Sequence, residues 1–147
     1  MTNLLNIYVD TNVLVNFCTN QENDTLALKY IFSKRNKNRL FTSSLSIVQT
    51  IANLQSKKKT RGAYTREKTI ELLNSIIPKF TILDLSYNDI KEGFNAKNND
   101  IEDSVHYVLS QKAKCNAIIT NNVKDFVWFN DIETIMPSLG ILKQKIR

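Results

Sequence analysis

Residues 7–12 read IYVDTN, a short apolar run that ends in a carboxylate and two small polar residues. Such a run is typical of a buried strand, and the polar residues after it suit a turn or a helix N-terminus. We therefore expect Asp10 at the carboxyl end of a strand, where open parallel sheets bind their ligands. In the alternative interpretation, Asp10 or Asn12 only caps a helix that begins near Val13. This segment alone does not separate the two roles.

An acidic cluster, DIED at residues 100–103, stands at the start of a segment whose apolar residues recur at helical spacing. Asp100, Glu102 and Asp103 therefore fall in the first turn of a predicted helix, where the helix dipole favours negative charge. Three carboxylates within four residues repel one another unless a cation lies among them, and Lys97 is the only nearby cation in the sequence. A bound cation is the more economical explanation of the cluster.

Residues 116–126 read NAIITNNVKDF and repeat the pattern of the first motif, with a short apolar strand, polar turn residues and then an acid, Asp125. Thr120 or Asn121 can cap the turn that follows, and Phe126 is expected to fill the core beneath it. Capping does not explain why two strand ends and one helix start each carry an aspartate.

These three motifs, in this order and at this approximate spacing, resemble those of the PIN-domain family, and the resemblance covers nearly the whole chain. PIN domains are compact α/β proteins; many are metal-dependent ribonucleases, and VapC-like toxins of bacterial toxin–antitoxin pairs belong to the family. The resemblance implies that Asp10, Asp103 and Asp125 are the catalytic carboxylates and hold Mg²⁺ or Mn²⁺. The residues expected to support them are Asn12, Gln49, Asp100, Glu102, Thr120 and Asn122.

One position departs from the family pattern. PIN domains often carry a glutamate on the helix after the second strand, and the segment TSSLSIVQTIAN at residues 42–53 aligns Gln49 with it. Mg²⁺ and Mn²⁺ favour oxygen ligands, and an amide oxygen brings no charge. We therefore expect weaker metal binding, with Asp100 or Glu102 as candidates to compensate.

Three classes of function are compatible with these motifs. The leading one is a metal-dependent endoribonuclease that hydrolyses RNA phosphodiester bonds, in the setting of a toxin neutralised by a small antitoxin. The second is a catalytically weak or inactive PIN-like module that binds RNA or protein, which Gln49 favours. The third is a phosphotransfer domain of the receiver or haloacid-dehalogenase kind. Asn12 stands where haloacid dehalogenases have a second aspartate, and Asp10 lies too near the amino terminus for a receiver.

Other chemistries find little support in the composition. The chain has one histidine, and neither Cys18 nor Cys115 has a partner at zinc-ligand spacing, so zinc and thiol catalysis are disfavoured. Both cysteines are expected to pack as small apolar residues. His106 follows Asp103 by one helical turn, and we expect it to be a partly buried hydrogen-bonding residue rather than a substrate contact. With three glycines in total, no phosphate-binding glycine loop can be built.

Lysine and arginine outnumber aspartate and glutamate by 20 to 14, which gives a net charge of +6 and a pI near 9.3. This balance favours a nucleic-acid partner, although such clusters often only solvate helix ends. The positive residues concentrate at 34–39, 57–61 and 143–147. The predicted nucleic-acid contacts are Lys57, Lys58, Lys59 and Arg61.

The length of 147 residues suits one domain, 1–147, and the apolar runs are too short for a membrane span. We expect a cytoplasmic protein with RNA as its partner, and an antitoxin protein and a second copy of the chain as further candidates. Apolar periodicity predicts an α/β fold of three layers, a mostly parallel central sheet between helices. Strands are predicted at 4–9, 39–42, 80–84, 116–120 and 132–136. Helices are predicted at 13–18, 24–35, 44–57, 66–77, 87–96 and 101–114, with a short helical turn near 122–126.

Overall fold

The computed structural model describes residues 5–56, 63–96 and 98–146. Its five strands form one sheet in the order β3-β2-β1-β4-β5, and every neighbouring pair is parallel. The strands are β1 (Leu5–Val9), β2 (Asn38–Ser43), β3 (Thr81–Leu83), β4 (Ala117–Ile119) and β5 (Glu133–Ile135). The predicted α/β architecture is confirmed, and within the described ranges the sheet is wholly parallel.

Eight helices accompany the sheet within the described ranges. They are α1 (Thr11–Cys18), α2 (Glu22–Ser33), α3 (Ser44–Leu54), α4 (Arg66–Ile76), α5 (Tyr87–Phe94), α6 (Ile101–Lys112), α7 (Val123–Phe126) and α8 (Leu139–Lys145). A single 3₁₀ turn, Ile77–Lys79, ends α4 where Pro78 cannot continue it. None of these helices is both long and apolar enough to cross a membrane.

Side chains of β1 alternate between two buried clusters, one on each face of the sheet. Ile7 and Val9 pack with residues of α1, α2 and α8, whereas Tyr8 packs with Leu109 of α6 and Phe126 of α7. Because successive side chains of a strand point to opposite faces, a strand that is apolar throughout must be covered on both sides. This explains the three layers and makes β1 the centre of the molecule.

The strand order determines where a ligand can bind. From β1 the chain builds β2 and β3 on one side, then crosses over to build β4 and β5 on the other. Helices that leave β1 and β4 at their carboxyl ends therefore diverge, and the crevice between them is the usual ligand site of such sheets.

The helix starts that border this crevice have side-chain caps. Asp10 caps α1 by accepting from the backbone N–H of Thr11, and Asp100 caps α6 by accepting from that of Asp103. Ser43 caps α3. Each cap satisfies a backbone donor that the helix itself leaves free, so the position of the first turn is fixed.

Every predicted element is present, with ends within three residues of the expected ones. Apolar periodicity does not predict α8, because Gly140 and a length of only seven residues give it a weak helical pattern. From the sequence, this end of the chain is recognisable only as a basic cluster. Cys18 and Cys115 are buried free thiols, as expected, and burial raises their pKa values to about 11 and about 12.

Removal of the Leu142 side chain tests whether α8 is part of the core. Leu142 is fully buried, whereas its neighbour Ile141 is 36% exposed. We expect Leu142→Ala to lower the free energy of unfolding by about 2–5 kcal/mol, because it leaves a cavity in the core. Ile141→Ala is the matched control and should cost less than about 1 kcal/mol. Urea denaturation measures both, and equal losses would show that α8 does not pack as described.

Candidate active site

A cleft of about 590 Å³ lies at the carboxyl ends of β1 and β4, bordered by α1, α3 and α6. Most residues singled out from the sequence line it. These are Asp10, Asn12, Gln49, Asp100, Glu102, Asp103 and Asn122. Thr120 and Asp125 are not among the lining residues. The structure thus brings together four separate segments of the chain.

Asp10 follows β1 directly and caps α1, so the capping role is present, whereas its role as a ligand-binding carboxylate stays a prediction. It is 2% exposed. One carboxylate oxygen accepts from the backbone N–H of Thr11 at 2.8 Å, and the other accepts from Thr120 Oγ1 at 2.8 Å and Asn12 Nδ2 at 2.9 Å. These three donors supply the compensation that a buried carboxylate requires. The helix begins at Thr11, two residues earlier than expected.

The turn after β4 is tied to the start of α1. Asn12 Oδ1 accepts from the backbone N–H of Asn121 at 3.0 Å, and Thr120 Oγ1 accepts from the backbone N–H of Asn122, also at 3.0 Å. Thr120 is fully buried beneath the cleft. These bonds hold the third sequence motif against the first. The role of Asn12 and Thr120 as supports of a metal site stays a prediction.

Asp103 lies in the first turn of α6 and is only 7% exposed. Its Oδ2 atom is buried and has no hydrogen-bond partner among the described residues. The pKa of its carboxyl is raised to about 8, first by burial, then by the negative charges of Asp10, Asp100 and Asp125, and by a hydrogen bond with the Asp125 side chain. At neutral pH without a cation, Asp103 therefore tends to keep its proton.

Asp125 is half-buried on α7 and interacts with Asp103 from outside the cleft lining. Its backbone oxygen accepts from Asn98 Nδ2 at 2.5 Å. The predicted triad therefore does not form a ready-made cage: within residues 5–56, 63–96 and 98–146, no three His, Cys, Asp or Glu side chains are arranged to hold a metal ion. Of the two Asp10 oxygens, Oδ2 already accepts two hydrogen bonds, whereas Oδ1 accepts one and keeps capacity for a further partner.

The donor chemistry of the cleft nevertheless fits a hard divalent cation. A buried carboxylate oxygen without a partner, with other carboxylates close enough to raise its pKa, is a group that lacks a positive neighbour. Mg²⁺ and Mn²⁺ bind carboxylate, amide and water oxygens, which this cleft offers. The ligand set Asp10, Asp103 and Asp125 stays a prediction.

A buried hydrogen-bond network beside Asp10 was not foreseen from the sequence. His106 is 2% exposed, and its Nδ1 lies 2.7 Å from the Tyr8 hydroxyl while its Nε2 lies 2.8 Å from Gln49 Oε1. Thr11 donates to the same Gln49 oxygen at 2.6 Å. Burial lowers the pKa of His106, against the opposing charge of Asp10, so the ring is neutral at physiological pH. The sequence offered no signal for Tyr8, which reads as one residue of an apolar strand.

The predicted nucleic-acid contacts Lys57, Lys58, Lys59 and Arg61 lie outside the described residues. The cluster at 34–39 is described in full, and none of its residues lines the cleft. Arg35, Arg39 and Lys79 line a shallow groove of about 370 Å³ at the amino ends of β2 and β3, with no acidic residue among its lining. Because the strands are parallel, this groove lies at the opposite end of the sheet from Asp10.

The sequence model of the PIN domain matches residues 7–127. No curated protein sequence matches the chain.

Several solved structures share the fold at low identity. A DNA-bound VapBC from Salmonella typhimurium has a TM-score of 0.68 at 13% identity, covering 91% of this chain and 99% of that one. A toxin–antitoxin complex from Klebsiella pneumoniae gives 0.62 at 17% identity, with 89% and 97% covered. VapC20 of Mycobacterium tuberculosis, a toxin that cleaves the sarcin–ricin loop, gives 0.57 at 12% identity, with 76% and 86% covered. At identities this low, the structural matches establish a shared fold and nothing beyond it.

The raised pKa of Asp103 predicts how pH affects stability in the absence of metal. A carboxyl that keeps its proton in the folded state binds more protons than it does when unfolded, so its contribution to stability is lost as pH rises from about 4 through about 8. Asp103→Asn has no proton to lose. We therefore expect the variant to gain about 1–3 kcal/mol relative to the parent between pH 5 and pH 9.

Urea denaturation with a chelator present, at several pH values, measures this difference. Asp84→Asn is the control, since Asp84 is exposed and lies outside the cleft. Comparison with the parent cancels the titration of His106 and all other shared groups. If the difference in free energy of unfolding between the parent and Asp103→Asn stayed constant across this pH range, the described environment of Asp103 would be contradicted.

Proposed function

The chain belongs to the PIN-domain family, and we propose that it is a metal-dependent endoribonuclease that hydrolyses RNA phosphodiester bonds. The observation that carries the proposal is the buried Asp103 carboxylate, which has one oxygen without a partner and three aspartates close enough to raise its pKa. A polar cleft at the crossover point of a parallel sheet surrounds it. Negative charge is concentrated there without a cationic side chain among the cleft lining, and a divalent cation would compensate it.

In this proposal Asp10, Asp103 and Asp125 hold Mg²⁺ or Mn²⁺. Such an ion, when bound, lowers the pKa of a bound water and offsets the negative charge that develops on the scissile phosphate. Thr120 and Asn12 fix the orientation of the Asp10 carboxylate through the bonds given above. Asp103 must release its proton to act as a ligand, so metal binding should become tighter as pH rises toward 8.

The capping residue Asp100 fixes the first turn of α6, and with it the position of Asp103, by accepting from the Asp103 backbone N–H at 3.0 Å. Asp100 and Glu102 are exposed and line the same cleft. Their carboxylates add negative potential at the cleft entrance, where they are available to hydrated metal ions. This is the compensation that we propose for the missing glutamate at position 49.

We further propose that the chain acts as a toxin whose partner is a small antitoxin protein. Support comes from the similar structures, which include a toxin–antitoxin complex and a toxin that cleaves the sarcin–ricin loop. RNA as substrate agrees with the net charge of +6, because positive charge attracts a polyanion while the cleft itself stays acidic.

A second candidate function is a PIN-like module that binds RNA without cutting it. Gln49 favours this candidate, because a neutral amide stands where many family members have a carboxylate. The two candidates differ in metal binding. The enzyme binds Mn²⁺ at the aspartates, whereas the inactive module binds RNA and does not bind Mn²⁺. Calorimetric titration with Mn²⁺ separates them.

Removal of one aspartate charge at a time tests the enzymatic proposal. In the presence of Mg²⁺ or Mn²⁺, Asp10→Asn and Asp103→Asn should each reduce RNA cleavage by at least about 100-fold, because each removes a metal-facing charge. Asp84→Asn should cleave as the parent does. Activity retained by both cleft variants, with parent activity present, would refute the assignment.

Salt dependence tests the role of the basic groove formed by Arg35, Arg39 and Lys79. If these side chains contact phosphates, RNA affinity should fall steeply with salt, and replacing all three by glutamine should reduce the log–log slope by about 2. The matched control replaces Lys29, Lys68 and Lys91, which line neither the groove nor the cleft. Equal slopes for parent and groove variant would show that the groove does not bind RNA.

A further inference from the structure

Gln49 is held by its carbonyl oxygen, which two neighbouring side chains engage. Oε1 accepts from Thr11 Oγ1 at 2.6 Å and lies 2.8 Å from His106 Nε2. Both partners are buried residues of other elements, α1 and α6. An amide oxygen has two lone pairs and here has two partners. Its capacity to act as a metal ligand is therefore already used within the protein.

The network behind His106 sets the direction of these bonds. An amide oxygen can only accept, so Nε2 of His106 carries the proton. In the neutral ring Nδ1 must then accept, and the Tyr8 hydroxyl 2.7 Å away is its donor. Tyr8 in turn lies 2.8 Å from Ser43 Oγ, a hydroxyl that can donate to it. Each group thus donates a hydrogen bond to the next, from Ser43 through Tyr8 and His106 to Gln49 Oε1.

The other end of the amide is unused. Gln49 Nε2 has no hydrogen-bond partner within the described residues, and it is not among the buried polar atoms that lack one. It is therefore accessible to solvent, on a residue that lines the cleft together with Asp10 and Asp103. An NH₂ group only donates. It repels a cation and suits an anionic oxygen, and a hydrogen bond to phosphate is stronger than one between neutral groups.

We propose that Gln49 is a substrate-binding residue that donates an N–H to a non-bridging phosphate oxygen of the RNA, and that it is not a ligand of the metal ion. This inference rests on the proposed function and specifies how its site meets the substrate. Thr11 and His106 act as positioning residues, since they fix which end of the amide faces the cleft. Position 49 thereby contributes to phosphate recognition, and metal binding is left to the carboxylates of the cleft.

Gln49→Glu is the informative variant, because a carboxylate keeps an acceptor for Thr11 and His106 and replaces only the cleft-facing NH₂ with a negative oxygen. The two readouts are Mn²⁺ affinity by calorimetry without RNA, and the affinity for an uncleavable 2′-O-methyl RNA with a chelator present. We expect RNA affinity to fall about tenfold or more, the scale of one lost hydrogen bond to a charged group. Mn²⁺ affinity should rise, since a charge is added near Asp10.

Two further variants complete the design. Gln49→Met removes both ends of the amide and should weaken RNA binding about tenfold while Mn²⁺ affinity stays within about twofold of the parent. Gln55→Glu adds the same charge at the exposed end of α3, outside the cleft, and should change neither readout by more than about twofold. A tenfold loss of Mn²⁺ affinity in Gln49→Met, with RNA affinity intact, would overturn the proposal.

NMR provides an independent test in the parent protein. The side-chain NH₂ signals of Gln49 should shift on addition of the uncleavable RNA, and the ¹⁵N shifts of His106 should report a proton on Nε2. A proton on Nδ1 would mean that the amide is reversed, and would refute the proposal. If Gln49 responds to RNA but the protein cleaves none, the proposed hydrolysis fails and this inference stands. If RNA is cleaved and Gln49→Glu binds RNA as the parent does, the proposed hydrolysis stands and the proposed role of Gln49 fails.

Discussion

The concentration of buried negative charge at the crossover point of the sheet is the constraint on which this structure depends. The parallel order places the ends of β1 and β4 side by side, and the first turn of α6 closes over them. Asp10 receives three hydrogen bonds there, whereas Asp103 has an oxygen without a partner. The fold by itself supplies the partners of the Asp10 carboxylate, whereas the unpaired oxygen of Asp103 is available to a ligand.

This arrangement links the core to the site. The residues that position Asp10 and Gln49 belong to β1, α1, α3 and α6, which the two buried clusters hold against the sheet. A carboxyl with a pKa near 8 opposes folding at neutral pH unless a proton or a cation joins it. Apolar burial on both faces of the sheet offsets that cost, so the fold can keep a buried carboxyl without a cationic partner.

The sequence predicted the elements and the main acids because both leave local signals. An apolar run that ends in Asp10 marks a strand end, and three acids in four residues mark a helix start that lacks a positive partner. The network of Tyr8, His106 and Gln49 left no such signal, since its members are 41 to 98 residues apart and two of them read as ordinary strand or helix residues. Asp125 was predicted from its motif, but its place relative to the cleft depends on how α7 packs against α6, which no local sequence pattern reports.

The most direct measurement is the anomalous diffraction of a crystal soaked in excess Mn²⁺ near pH 8. The account requires an anomalous peak bonded to Asp103 Oδ2, at a distance of about 2.1 Å for a small divalent ion, with a second aspartate as ligand and Gln49 Oε1 still bonded to His106. A crystal with no peak at Asp103 under saturating Mn²⁺, and with its carboxyl still bonded to Asp125, would contradict the central claim that a cation completes this site.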